Sequence, residues 1–192
     1  EFNNSGVKDN SFSLGDIFLE PLGIAWHGDN YDTVVAAAAF IPTGHFNPLS
    51  NASPGKGFLT GLFTAGFTYY PDADKTWSFS LLNRYEIHTK KRRNINIRPG
   101  DNFLFEWGLG KSLPKNWEVG MAGYGQWQVT DDSGSDITWD KNVHDKTFSA
   151  GPEVIKSIPK WKLNISVRAQ WEFESKDRGE GTVVNITFLK IF

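Results

Sequence analysis

Trp161-Lys162-Leu163-Asn164-Ile165-Ser166-Val167-Arg168-Ala169-Gln170-Trp171-Glu172-Phe173-Glu174 alternates apolar and polar residues from end to end. Period two is the mark of a strand with one apolar and one polar face. An ordinary strand runs about 5–6 residues, so this one is long. The pattern recurs. Leu59, Phe63, Ala65, Phe67 and Tyr69 alternate with Thr60, Thr64, Gly66 and Thr68. Trp77, Phe79, Leu81, Tyr85 and Ile87 alternate with Ser78, Ser80, Arg84, Glu86 and His88. Phe103, Phe105, Trp107 and Leu109 alternate with Leu104, Glu106 and Gly108. Trp117, Val119, Met121, Trp127 and Val129 alternate with Glu118, Gly120, Tyr124, Gln126 and Gln128. Weaker strands fall near 16–26, 31–41 and 147–156, and a last one runs over 182–192. That makes about nine strands, with no competing helical period.

Composition narrows the class. A length of 192 residues fits one domain. Twenty basic residues against 22 acidic ones give a net charge of −2, without the basic excess of a nucleic-acid binder. Cysteine is absent, which excludes disulfides and thiolate metal sites. The longest apolar run, 34–41, is far short of the roughly 20 residues a membrane-spanning helix needs. With 15 Phe, 8 Trp and 5 Tyr, the chain is too aromatic for disorder.

Long alternating strands fit a soluble barrel with its apolar face inside, or a transmembrane barrel with that face outside and a polar lumen. Trp117 and Trp127 share a face about ten residues apart, as do Trp161 and Trp171, roughly 33 Å along a strand. At a tilt near 40° this gives roughly 25 Å of height, the band expected between two aromatic girdles. Tyr31, Trp77, Trp117 and Trp161 each follow a short link and would ring one rim. Short links (27–30, 71–75, 112–116, 157–160) alternate with long ones (42–57, 89–101, 131–146) and a medium one (175–181). Outer-membrane barrels have short periplasmic turns and longer external loops. The charged face of 161–174 would be superfluous in a soluble barrel. The expectation is an antiparallel transmembrane barrel over 15–192, preceded by an external segment or truncated N-terminus over 1–14, in a bacterial outer membrane.

The segments Gly15-Asp16-Ile17-Phe18-Leu19-Glu20-Pro21, Ala25-Trp26-His27, Ile41-Pro42-Thr43-Gly44, Asn83-Arg84-Tyr85-Glu86, Glu106-Trp107-Gly108-Leu109-Gly110-Lys111, Gln128-Val129-Thr130-Asp131-Asp132-Ser133-Gly134 and Gly151-Pro152-Glu153 occur in that order. Together they resemble the outer-membrane family labelled "putative MetA-pathway of phenol degradation", over about residues 14–192. The resemblance implies a Gram-negative outer-membrane barrel linked to catabolism of aromatic compounds, with transport inferred and no catalytic residues. Members of that family look longer before Gly15. An odd strand count is also unusual for bacterial barrels, so the expectation is a barrel of roughly twelve strands.

Residues expected to line the lumen are Arg84, Glu86, Glu106, Glu118, Gln126, Gln128, Lys162, Arg168, Gln170 and Glu172. They would form either a polar pathway or a bracing network, with Arg84–Glu86 read as a brace. The girdle would comprise Tyr31, Trp77, Trp117, Trp127, Trp161 and Trp171. Asn83 falls on the apolar face. Lys90, Lys91, Arg92 and Arg93 form a basic external loop suited to lipopolysaccharide phosphates. Phe46, Leu49, Ile137 and Trp139 lie in loops that would gather a hydrophobic solute or fold inward as a plug.

Asp131, Asp132, Asp136, Asp140 and Asp145 cluster in the 131–146 loop, where carboxylate oxygens suit calcium as an alternative, but they lack the spacing of an EF-hand and no metal or other cofactor is expected. Gly108-Leu109-Gly110-Lys111-Ser112 is no phosphate loop, because Phe105 stands where the first glycine belongs. No Gly-x-Ser-x-Gly elbow occurs. An outer-membrane hydrolase using His88 and a sealed structural or surface-interaction barrel are the alternatives to a passive channel for small hydrophobic or aromatic solutes. Expected partners are membrane lipid, lipopolysaccharide, a small hydrophobic solute and, through Phe192, the barrel-assembly machinery. Ile165→Arg is expected to block insertion.

Overall fold

The structure, a computed structural model, describes residues 12–48, 50 and 52–191. Nine antiparallel strands form one sheet in chain order: β1 (Ile17–His27), β2 (Tyr31–Ile41), β3 (Thr60–Tyr69), β4 (Trp77–His88), β5 (Asn102–Leu113), β6 (Trp117–Gln128), β7 (Lys146–Ile158), β8 (Leu163–Lys176) and β9 (Thr182–Lys190). A 3₁₀ turn, Pro159–Trp161, links β7 to β8. Each strand pairs with its chain neighbours, so the sheet is a meander; among the described residues β1 and β9 each pair on one side only. Phe192, Leu49 and most of segment 1–14 lie outside the described residues.

Local chemistry explains the short turns. Pro114, Lys115 and Asn116 form a three-residue link between Leu113 and Trp117, in which Lys115 and Asn116 both have positive φ, 63° and 60°. Before β4, the carboxylate of Asp72 accepts hydrogen bonds from the Thr76 hydroxyl (2.6 Å) and from the backbone N–H groups of Thr76 and Trp77 (2.9 Å each). The last turn departs from the sequence pattern. Trp161 belongs to the 3₁₀ turn and Lys162 is left-handed, φ 47°, so β8 begins only at Leu163. Lys162 is therefore a rim residue and not a wall residue.

Two irregularities reset the alternation. The β1–β2 register shifts between Leu19 and Leu22, around Glu20 and Pro21. Proline has no N–H for the ladder and sits at bulges. Ile17 and Leu19 before the bulge, and Leu22, Ile24 and Trp26 after it, consequently share one face. In β8 the alternation ends at Glu174, φ 54°, where the pairing with β7 shifts.

The two faces are sorted opposite to a soluble core. Phe63, Phe67, Leu81, Met121, Val167, Ile186 and Phe188 stand exposed on the outer face. The most buried side chains are mainly polar and lie on the inner face: Thr60, Thr147, Ser149 and Gln170 are all under 4% exposed. Leu62, 4% exposed, and Ala122, 1% exposed, are apolar residues buried on the same face. Asn83 keeps its place on the outer face, in register with Ala65 and Phe105.

The hydrogen bonds from Thr76, and then that from the Trp77 N–H, hold the Asp72 carboxyl at about 2, against an ordinary value near 4. A lowered folded-state value means that these bonds are intact above about pH 4 and are lost as pH falls through about 2. NMR titration should give a midpoint near 2 for Asp72, with the Thr76 and Trp77 amide shifts moving in step. A midpoint near 4 would contradict this cap.

Candidate functional site

The inner face lines an open-sided cavity of about 470 Å³ towards the short-turn rim. Its lining reaches from Ala25 on β1 to Arg168 on β8, so the sheet curls around it. Glycines at 66, 108, 110 and 120 leave room, while Val34, Leu82 and Ile155 give it an apolar part. A Cβ at Gly110 would meet the Glu118 carboxylate and the Ser78 hydroxyl, so the glycine gives these two side-chain ends their room. Glu106, Glu118 and Arg168 of the expected lumen set line it, joined by Asp32 and Glu153.

The ion pairs differ from the adjacent-residue pairing expected. Arg84 bonds Glu106 on the neighbouring strand and not Glu86. Adjacent positions of like parity on one strand share a face, but diagonal neighbours across a ladder lie within reach of long side chains. Arg168 donates through Nε and Nη2 to Glu153 on β7, at 3.2 and 3.0 Å. Glu118 has no hydrogen-bond or ion-pair partner among the described residues.

Towards the long-loop rim the inner face is packed. The His88 ring lies 2.9 Å from the Thr60 hydroxyl through Nδ1 and 3.0 Å from the Asn102 amide through Nε2. Glu86 approaches the same amide at 3.4 Å. Both ring nitrogens of His88 are thus engaged, and the Thr60 hydroxyl is fully buried. Tyr124 donates to Glu172 across β7. Gln170 is buried with its Nε2 unpaired. Gln126 faces the same side between Leu104 and Thr147 in register, and Gln128 caps the rim by donating to the Thr130 carbonyl and Asp132.

The loops at this rim brace one another. Asp136 accepts the Asn96 N–H at 2.7 Å and the Ser135 hydroxyl at 2.8 Å, which together lower its carboxyl value, the Asn96 bond most. Asp132 accepts from the Gly100 N–H and the Trp139 indole, and Asp131 meets His144. These aspartates are loop fasteners, and the described residues hold no cluster of three metal-ligating side chains. Phe46 covers Gly57, whose φ is 76°. Ile137 is half-buried and Trp139 exposed. Lys90, Arg92 and Arg93 are exposed and Lys91 half-buried, with no acidic partner within 4 Å among the described residues.

At the short-turn rim the outer face carries a feature that period-two reading missed. Lys111 lies over the Trp77 ring and Lys156 over the Trp117 ring, each 4.8 Å from the centroid. Each lysine is the cross-strand register partner of its tryptophan, so pairing, which a single strand does not display, was the missing signal. Lys190 donates to the Trp161 carbonyl. Tyr31 and Trp161 are exposed at this rim as well. Trp127 packs instead in a cluster with Phe103, Phe105 and Phe148, at 5.0–6.0 Å between centroids. Trp171 is exposed. Inside this rim Asp32 accepts from the Tyr70 hydroxyl at 2.7 Å and meets His27, and that bond, with burial, raises the Tyr70 hydroxyl to about 12.

The model of the family described as "Putative MetA-pathway of phenol degradation" matches residues 1–188, and the chain belongs to that family. No curated protein and no solved structure matches it.

A double-mutant cycle tests the pairing. Arg84→Ala and Glu106→Ala should couple by about 0.5–3 kcal/mol, whereas Arg84→Ala and Glu86→Ala should be close to additive. Coupling with Glu86 alone would overturn the assignment.

Proposed function

We propose that this chain forms wall strands of a β-barrel in a Gram-negative outer membrane and works as a passive channel for small hydrophobic or aromatic solutes. The observation that carries this is the inverted sorting of the sheet, apolar side chains exposed outside and polar ones buried inside. Tryptophan and lysine pairs at the short-turn rim suit a membrane interface, where an aromatic ring sits at headgroup level and a lysine reaches towards water. The family description supports a place in phenol degradation. A cavity with apolar and charged walls suits a ring bearing one polar group. The unpaired basic loop 90–93 suits lipopolysaccharide phosphates on the external side.

A second reading has its own support. The packed long-loop half of the inner face, around Leu62, His88 and Gln170, suits a sealed barrel with a structural or surface role.

Single-channel recording of the complete protein separates the two. Steady current that changes with Arg168→Ala supports the channel. Silence from a verified folded barrel supports the sealed form. Lipid exposure is tested by depth. Ala169 lies at the middle of β8, on the outer face, in register with Val184. Ala169→Arg should therefore cost about 2–4 kcal/mol, against about 0–1 kcal/mol near an interface. Ile165 lies only three residues beyond Lys162, level with Lys156, so Ile165→Arg should be tolerated better than its sequence position suggested. Equal tolerance of both variants would contradict a lipid-facing outer surface.

A further inference from the structure

Charge is segregated between the two faces. Every lysine within a strand lies on the outer face: Lys111 pairs in register with Trp77, Lys156 with Trp117, Lys146 with Lys176 and Trp127, and Lys190 with Leu163. The inner face holds Arg84 and Arg168, and each is taken by one carboxylate, Glu106 and Glu153. Asp32, Glu86, Glu118 and Glu172 remain on that face with no lysine or arginine within 4 Å among the described residues. Asp32 and Glu172 are fastened by tyrosine hydroxyls and Glu86 lies in the His88 network. Glu118 has no such fastening. It lines the cavity one residue from the start of β6, in the space that Gly110 leaves open.

We propose that the inner face selects by charge, passing cations and uncharged aromatic solutes while holding back anionic ones, with Glu118 the residue that sets this preference. A passage lined by unpaired carboxylates concentrates cations and depletes anions. A phenolic hydroxyl ionises near 10 and stays neutral at pH 7, whereas a carboxyl ionises near 4 and is anionic. The wall therefore sorts phenols from aromatic carboxylates of similar size. This proposal rests on the channel reading.

The test is the zero-current potential of the complete protein in a planar bilayer under a KCl gradient at neutral pH, followed by replacement of the salt with benzylammonium chloride or sodium benzoate. Expected are a potential with the sign of K⁺ over Cl⁻, and a larger organic current for benzylammonium than for benzoate. Glu118→Gln should move the potential towards zero, and Glu118→Lys further in the same direction. A preference for Cl⁻, no preference, or a potential indifferent to Glu118→Gln would overturn charge selection while leaving the channel standing. A folded barrel that gives no current would end both. If Glu118→Lys does not insert, the wild-type sign and the Glu118→Gln shift still decide the matter.

Discussion

Everything in this molecule depends on the antiparallel ladder between chain neighbours. Each strand satisfies its N–H and C=O groups against the strands beside it, and that is the condition under which a backbone can lie in hydrocarbon. The same ladder sends successive side chains to opposite faces. One face can then be largely apolar, with its lysines near the strand ends and Asn83 within it, while the other keeps arginines, glutamates and glutamines. The two edges, at β1 and β9, are paired on one side only among the described residues. In a bilayer each edge needs a further partner.

The inner face divides along its height. Towards the long loops, Thr60, His88, Asn102 and Glu86 interlock with Leu62 beside them. Towards the short turns, glycines replace side chains and the cavity opens. Polar groups packed at low dielectric are stabilising only when fully satisfied, and the His88 network meets that condition. Outside, tilted and stacked rings of Phe103, Phe105, Trp127, Phe148 and Phe173 cover the neighbourhood of Gly125. Rings laid over a bare glycine restore apolar contact on a strand face.

Much of this was legible in the residues. The strand over 161–174 and its echoes at 77–88, 103–109 and 117–128 place most strands and their faces, because the period of a strand is local. The alternation of short and long links is local too. What stayed hidden depends on register. Arg84 has Glu86 two residues away on the same face, yet its partner is Glu106, a diagonal neighbour on β5. Glu153 is not readable as a lumen residue because Pro152 and Gly151 break the pattern of β7, and only pairing with β8 brings it to Arg168. The Lys–Trp pairs are cross-strand contacts of the same kind. Bulges defeat parity as well. At Pro21 the face switches from odd to even positions, and at Glu174 the alternation ends.

An outer face in lipid and an inner face in water differ in their access to water-borne reagents. The chain contains no cysteine, so each introduced cysteine is a unique probe. Single cysteines along β8 in the complete protein, assembled in membranes, would be challenged with a membrane-impermeant maleimide. Cysteines at Asn164, Ser166, Arg168 and Glu172 should react from water, while those at Val167, Ala169 and Trp171 should react only with a lipid-soluble reagent. Water-phase labelling of the odd positions, with the even ones protected, would contradict the account and return the sheet to an ordinary buried apolar core.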